Sequence, residues 1–111
     1  MKLQIEIASE NGQESYYAPI RIGEVHRTES FDTVPCGMSA DGKAVYYELA
    51  SVRSDLKAKM TALSERYSNV VPVGAGFRFE IQKLPVATVS GHGLINFDLG
   101  ADGAIVGIEF L

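Results

Sequence analysis

Residues Asp98 to Glu109 read DLGADGAIVGIE, a stretch that fits either a metal-binding loop between helices or a turn between strands. Laid over the calcium-loop pattern D-x-[DN]-x-[DN]-G-x5-E, they agree at Asp98, Asp102, Gly103 and Glu109, while Gly100 stands where a further ligand is needed. Such a loop works between two helices, because the exiting helix carries the last, bidentate glutamate to the ion. Here the approach, Leu94-Ile95-Asn96-Phe97, alternates like a strand. The exit, Ile105 to Phe110, is rich in β-branched and aromatic residues, and only Phe110 and Leu111 follow the glutamate. A tight turn at Ala101-Asp102-Gly103 accounts for the same letters, since glycine takes positive φ without steric cost. The stretch therefore reads as a hairpin turn followed by the last strand, with no metal expected.

The same letters occur earlier. ADGKAVYYEL from Ala40 matches ADGAIVGIEF from Ala101 at Ala, Asp, Gly, Val and Glu, an offset of 61 residues. Upstream, IRIGEVHRTES loosely echoes EIQKLPVATVS. The echo points to duplicated β units, residues 1–50 and 70–111, each with an apolar face that it cannot bury alone.

Between the two echoes the pattern changes period. Leu49, Val52, Leu56, Met60, Leu63 and Tyr67 are spaced 3, 4, 4, 3 and 4, the apolar face of one amphipathic helix over about 51–68. Ser51 or Ser54 is the expected cap at its start and Asn69 at its end, and Pro72 prevents continuation. On either side the period is two. Leu3, Ile5 and Ile7 alternate with polar residues, as do Phe77, Phe79 and Ile81. Asn11-Gly12 marks a turn into a strand at Tyr16 to Ile22, and a third strand is expected over Glu24 to Phe31. Val86 to Val89 reads as a further strand, broken at Gly91-His92-Gly93. The fold expected is α+β: antiparallel sheet from two hairpin-rich units, with the helix packed on it, in a single domain of residues 1–111.

The segment Gly76 to Leu111 resembles a family of short bacterial proteins of unknown function that close with a D-x-D-x-D-G-x-[IV]-V-G-I-E-[IV]-L motif. Asp98, Asp102, Gly103, Ile105, Val106, Gly107, Ile108, Glu109 and Leu111 carry the match. Gly100 and Pro85 depart from it, and the first half matches weakly. The resemblance implies a fold and no chemistry.

Composition narrows the function classes. Ten Lys and Arg against fourteen Asp and Glu give a net charge of −4, with no basic cluster, so a nucleic-acid backbone is not the expected partner. One cysteine excludes an internal disulfide and points to a reducing, cytoplasmic setting. The alternating N-terminus does not read as a signal peptide and none is expected, and no apolar run is long enough for a membrane helix.

The candidate chemical groups are few. His92 stands between two glycines that would let a ligand approach its imidazole. The pairs Tyr16-Tyr17 and Tyr46-Tyr47 each place one ring on either face of a strand, which makes Tyr17 and Tyr47 candidate ligand contacts. Cys36 in Val-Pro-Cys-Gly reads as a small buried hydrophobe rather than a nucleophile. Gly74-Ala75-Gly76 precedes a strand and not a helix, so it is no phosphate cradle. No cofactor is called for. The reading is a non-enzymatic binding or assembly module, expected to pair as a homodimer through the edge of its terminal strand or to bind another protein. The alternatives are a small-ligand or enzymatic cup with His92 near its mouth, and an inhibitor of a host protein carried by a phage or mobile element.

Overall fold

A computed structural model describes residues 1–111. Its strands are β1 (Glu6–Glu10), β2 (Gln13–Pro19), β3 (Arg27–Met38), β4 (Ala44–Leu49), β5 (Val70–Val73), β6 (Gly76–Glu80), β7 (Thr88–Leu99) and β8 (Ile105–Phe110), with one helix, α1 (Ser54–Arg66), between β4 and β5. They form a single antiparallel sheet in the order β1-β2-β8-β7-β3-β4-β6-β5. The sheet curls as a half-barrel, and α1 lies in its concave side. No helix is long and apolar enough to cross a membrane.

The core follows from the two periodicities. Leu56, Met60 and Leu63 of α1, with Tyr67 just beyond it, are buried, as their spacing requires. They meet Tyr16, Ala18, Cys36, Tyr47, Phe79, Ile95, Phe97, Ile108 and Phe110 in one cluster. Phe79 is the hub of its aromatic part. Its ring centroid is 6.2 Å from that of Phe97 and 5.2 Å from that of Phe110, and Tyr47 packs on Phe110 at 5.2 Å.

The strand order has an internal regularity. Advancing every strand number by four gives the same order reversed. The backbone bonds recur in step. Ile20 and Arg21 donate their N–H groups to the carbonyl of Val106 (2.8 and 3.1 Å), and Ile81 and Gln82 donate to that of Val45 (2.8 and 3.4 Å), so donors and acceptors alike differ by 61. His26 donates to Leu99 at 2.7 Å, and Ala87 to Met38 at 2.8 Å. The turns agree as well: Ser39 with Lys43 matches Gly100 with Ala104, and Gly42 with Ser39 matches Gly103 with Gly100. The glycine of each turn has positive φ, 84° at Gly42 and 80° at Gly103. The closing stretch is thus a tight turn and a strand.

Several expectations are corrected. β1 begins at Glu6 rather than Leu3, because Leu3 leaves the sheet to enter the core. β3 runs from Arg27 to Met38, well past Phe31, because it pairs with the long strand β7. That strand does not break at Gly91-His92-Gly93. It bulges there: Val34 and Cys36 face Gly93 and Ser90, one residue more on β7 than on β3. Gly93 permits the close approach, since a Cβ on it would lie 2.7 Å from the carbonyl oxygen of Val34.

Neither serine caps α1. Its N-cap is Arg53, without a side-chain bond, and tertiary burial of the apolar face sets the boundary instead. At the other end Tyr67 is the cap residue, and Asn69 has a different task. Its amide accepts from the N–H of Leu3 (2.7 Å) and donates to the Leu3 carbonyl (3.0 Å), as a neighbouring strand would. Ser68 adds a bond from its N–H to the carbonyl of Met1 at 2.8 Å. The N-terminal segment is thereby tied to the start of β5, and the two ends of the sheet draw together.

The terminal strand is not an edge. β8 lies between β2 and β7, and Ile105 to Ile108 are buried, as expected of an internal strand. The edges are β1 and β5. The first carries Glu6 and Glu10 on a fully exposed strand, and the second is short and contains Pro72. Both features discourage pairing with another chain.

Candidate functional site

The acids of the closing stretch go to separate partners. Thr28 donates to Asp98 at 2.9 Å, Asn96 donates to Glu109 at 2.9 Å, and Arg21 grips both oxygens of Asp102 at 2.8 and 2.7 Å. The guanidinium holds the Asp102 carboxyl below its ordinary range. These residues are therefore sheet-face and turn anchors.

Each tyrosine pair splits across the sheet as its period requires. Tyr16 and Tyr47 are buried, whereas Tyr17 and Tyr46 are half-buried on the outer face. Tyr17 extends over Gly107, where a Cβ would meet its hydroxyl at 1.9 Å. Burial, followed by the charges of Asp98, Glu109 and Glu6, raises its pKa. Tyr47 sits inside, beside Cys36 and Tyr16. Burial raises the Tyr47 phenol and the Cys36 thiol, and it pushes Tyr16 up to about 12 with help from its bond to Glu14. The Tyr16 hydroxyl donates to Glu14 (2.9 Å) and accepts from the N–H of Ala44 (3.3 Å). This trio is a satisfied polar inset in the core.

His92 is exposed on the β7 bulge, with its N–H bonded to the Ser90 hydroxyl at 3.2 Å. His26 is exposed just before β3. The three residues singled out from sequence therefore lie apart: Tyr47 in the core, Tyr17 on the outer face of β2, and His92 at the bulge.

A cleft of about 920 Å3 lies elsewhere, on the outer side of β4 and β6. Its floor is Tyr46 and Arg78, with the guanidinium 4.1 Å from the ring centroid. Glu48 holds Arg78 by its Nε and Nη2, each at 2.9 Å. One wall is the segment Gln82 to Val86, which hangs from β4 through the bond of Gln82 N–H to Val45 and of its side chain to the Ala44 carbonyl (2.8 Å). Lys2 to Ile5 also line the cleft, with Leu3 held by Asn69. Leu84 and Val86 are 36% and 47% exposed, and no carboxylate pairs with Lys2 or Lys83.

Sequence reasoning passed over these residues. The available signal was a contrast within the echo: Lys83-Leu84-Pro85-Val86 stands where the first half has Ile22-Gly23-Glu24-Val25. The loose upstream echo of IRIGEVHRTES and EIQKLPVATVS runs at 60 and hides that register, which the backbone bonds fix at 61. No protein-family model, curated protein or solved structure matches this chain.

Proposed function

We propose that this chain is a non-enzymatic binding module whose site is the cleft between Lys2–Ile5 and Gln82–Val86. The observation that carries the reading is the cleft itself. Its volume falls in the range of small-molecule sites, and it joins apolar walls to an aromatic floor and unpaired cations. The more reactive side chains, Cys36 and Tyr47, are buried with raised pKa and do not line it. His92 does not line it either, so the site differs from a cup with His92 at its mouth.

The scaffold on this reading is a duplicated four-strand unit, β1 to β4 and β5 to β8, joined by α1. Support comes from the strand order and from the recurrence of backbone bonds at 61 residues. Each unit lends its second strand to the fourth strand of the other, β2 to β8 and β6 to β4. A homodimer by strand addition would use β1. In an antiparallel self-pair centred on Ala8, Glu6 of one copy faces Glu10 of the other, and like charges opposite each other oppose that contact.

The reading is tested by titrating a neutral and charged fragment library into the isotope-labelled chain and following amide resonances. Saturable shifts are expected at Tyr46, Arg78, Lys83 and Leu84. Hits that cluster at Ser90 to Gly93, leaving the cleft amides unmoved, would replace the cleft by the bulge as the site.

A further inference from the structure

We infer that the cleft takes an organic anion with an apolar body, such as a medium-chain or aryl carboxylate. The inference rests on the cleft being the binding site and adds the chemical class of its occupant. It starts from charge. The chain carries −4, yet the cleft is lined by Lys2, Arg78 and Lys83 against the single carboxylate of Glu80. Glu48 already neutralises Arg78, which leaves the two ammonium groups of Lys2 and Lys83 against Glu80, a local positive excess on an acidic protein that raises the local concentration of anions. Lys2 and Lys83 both line the cleft and have no acidic partner, so their ammonium groups are free to pair with a ligand. Arg78 is already oriented. Glu48 and the Tyr46 ring hold its guanidinium plane, and Nη1 is left without a bond inside the protein.

The apolar half of the occupant follows from the walls. Leu84, Pro85 and Val86 run beside the cleft without regular secondary structure, and two of them keep more than a third of their surface in water. Ile5, only partly buried, adds apolar surface to the lining. An inorganic anion would leave these walls wet, and a plain hydrocarbon would leave the ammonium groups unmatched. A carboxylate at the end of an alkyl or aryl body meets both demands.

The pseudo-equivalent place in the first half supports the assignment by contrast. Arg21 replaces Gln82 and is spent on Asp102, and Ile22, Gly23 and Glu24 replace Lys83, Leu84 and Pro85. Free cation and apolar strap occur together only in the second half.

The test titrates octanoate, octanamide and acetate into the full chain at pH 7, reading amide shifts. Octanoate is expected to saturate shifts at Tyr46, Arg78, Lys83 and Leu84, with octanamide about fivefold weaker and acetate not saturating. The double variant Lys2→Glu, Lys83→Glu should weaken octanoate about tenfold and octanamide by a clearly smaller factor. Equal binding of octanoate and octanamide in the cleft, or an unchanged octanoate affinity in the variant, overturns the anion assignment while keeping the cleft as the site. Cleft amides unmoved by both octanoate and octanamide overturn the cleft reading together with this one.

Discussion

Ile20 and Arg21 hang from the carbonyl of Val106 as Ile81 and Gln82 hang from that of Val45, and from there the two segments diverge in chemistry. In the first, Arg21 turns to Asp102 of the neighbouring turn, and Tyr17 covers Gly107. In the second, Gln82 reaches only to the Ala44 carbonyl, and Tyr46 stands where Gly107 stood, under Arg78. The core is uneven in the same sense. Ala18 and Cys36 in one half correspond to Phe79 and Phe97 in the other. Main-chain bonding preserves the shared frame because every buried N–H and C=O must find a partner. Side chains facing a cleft or a helix carry no such obligation, so the halves differ there.

The comparison breaks most forcefully in the core. Phe79→Ala removes the ring that joins Phe97 to Phe110 and should cost about 4 kcal/mol in urea unfolding. Its counterpart Ala18 is already the smaller residue, so Ala18→Gly should cost about 1 kcal/mol. Near-equal losses would show that the aromatic hub does not belong to the second half in the way described.

A smaller effect is expected where the two ends of the sheet meet. Asn69→Ala leaves the N–H and carbonyl of Leu3 without their partner and should cost about 2 kcal/mol. Hydrogen exchange at Leu3 should quicken before exchange in β7 does. Unchanged protection at Leu3 would mean that the N-terminal wall of the cleft is held by burial alone.

The smallest effect belongs to the exposed pair of the first half. Arg21→Ala should leave unfolding within measurement error, since both partners lie in water. Its signature is electrostatic. The Asp102 carboxyl, held low by Arg21, should return toward 3.8 when followed by carbon resonances against pH. A lowered folded pKa adds stability above the ordinary value, and that contribution fades as pH falls through the lowered one; at this exposed pair it is too small to show in unfolding, so the carboxyl titration is the readout. An unmoved Asp102 titration would show that the turn's own N–H groups, and not Arg21, set it.

Much of the architecture was legible in the chain. The 3.6-residue spacing of Leu56, Met60 and Leu63 located the helix, and Asp41-Gly42 and Asp102-Gly103 located the turns that flank β4 and β8. Boundaries were less legible. β3 continues past Phe31 because β7 pairs with it, a partner that local sequence does not display. The candidate site was hardly legible. Tyr47 attracted notice as a tyrosine and proved to be core, whereas Lys83 and Leu84 attracted none and proved to be a cleft wall.

Period, turn chemistry and the echo at 61 residues are properties of the chain itself, because φ and ψ preferences and side-chain alternation act between near neighbours. They determined one helix and antiparallel strands joined by tight turns. Which strands would neighbour each other was decided only in three dimensions. β8 became an internal strand when β2 closed over it, and Asn69 became a strand mimic when the sheet curled. The cleft arose where Lys2–Ile5 and Gln82–Val86 came to line one concavity, segments some eighty residues apart in the chain. Burial of a shared core brings such segments together, and that term depends on the whole surface removed from water rather than on any local pattern.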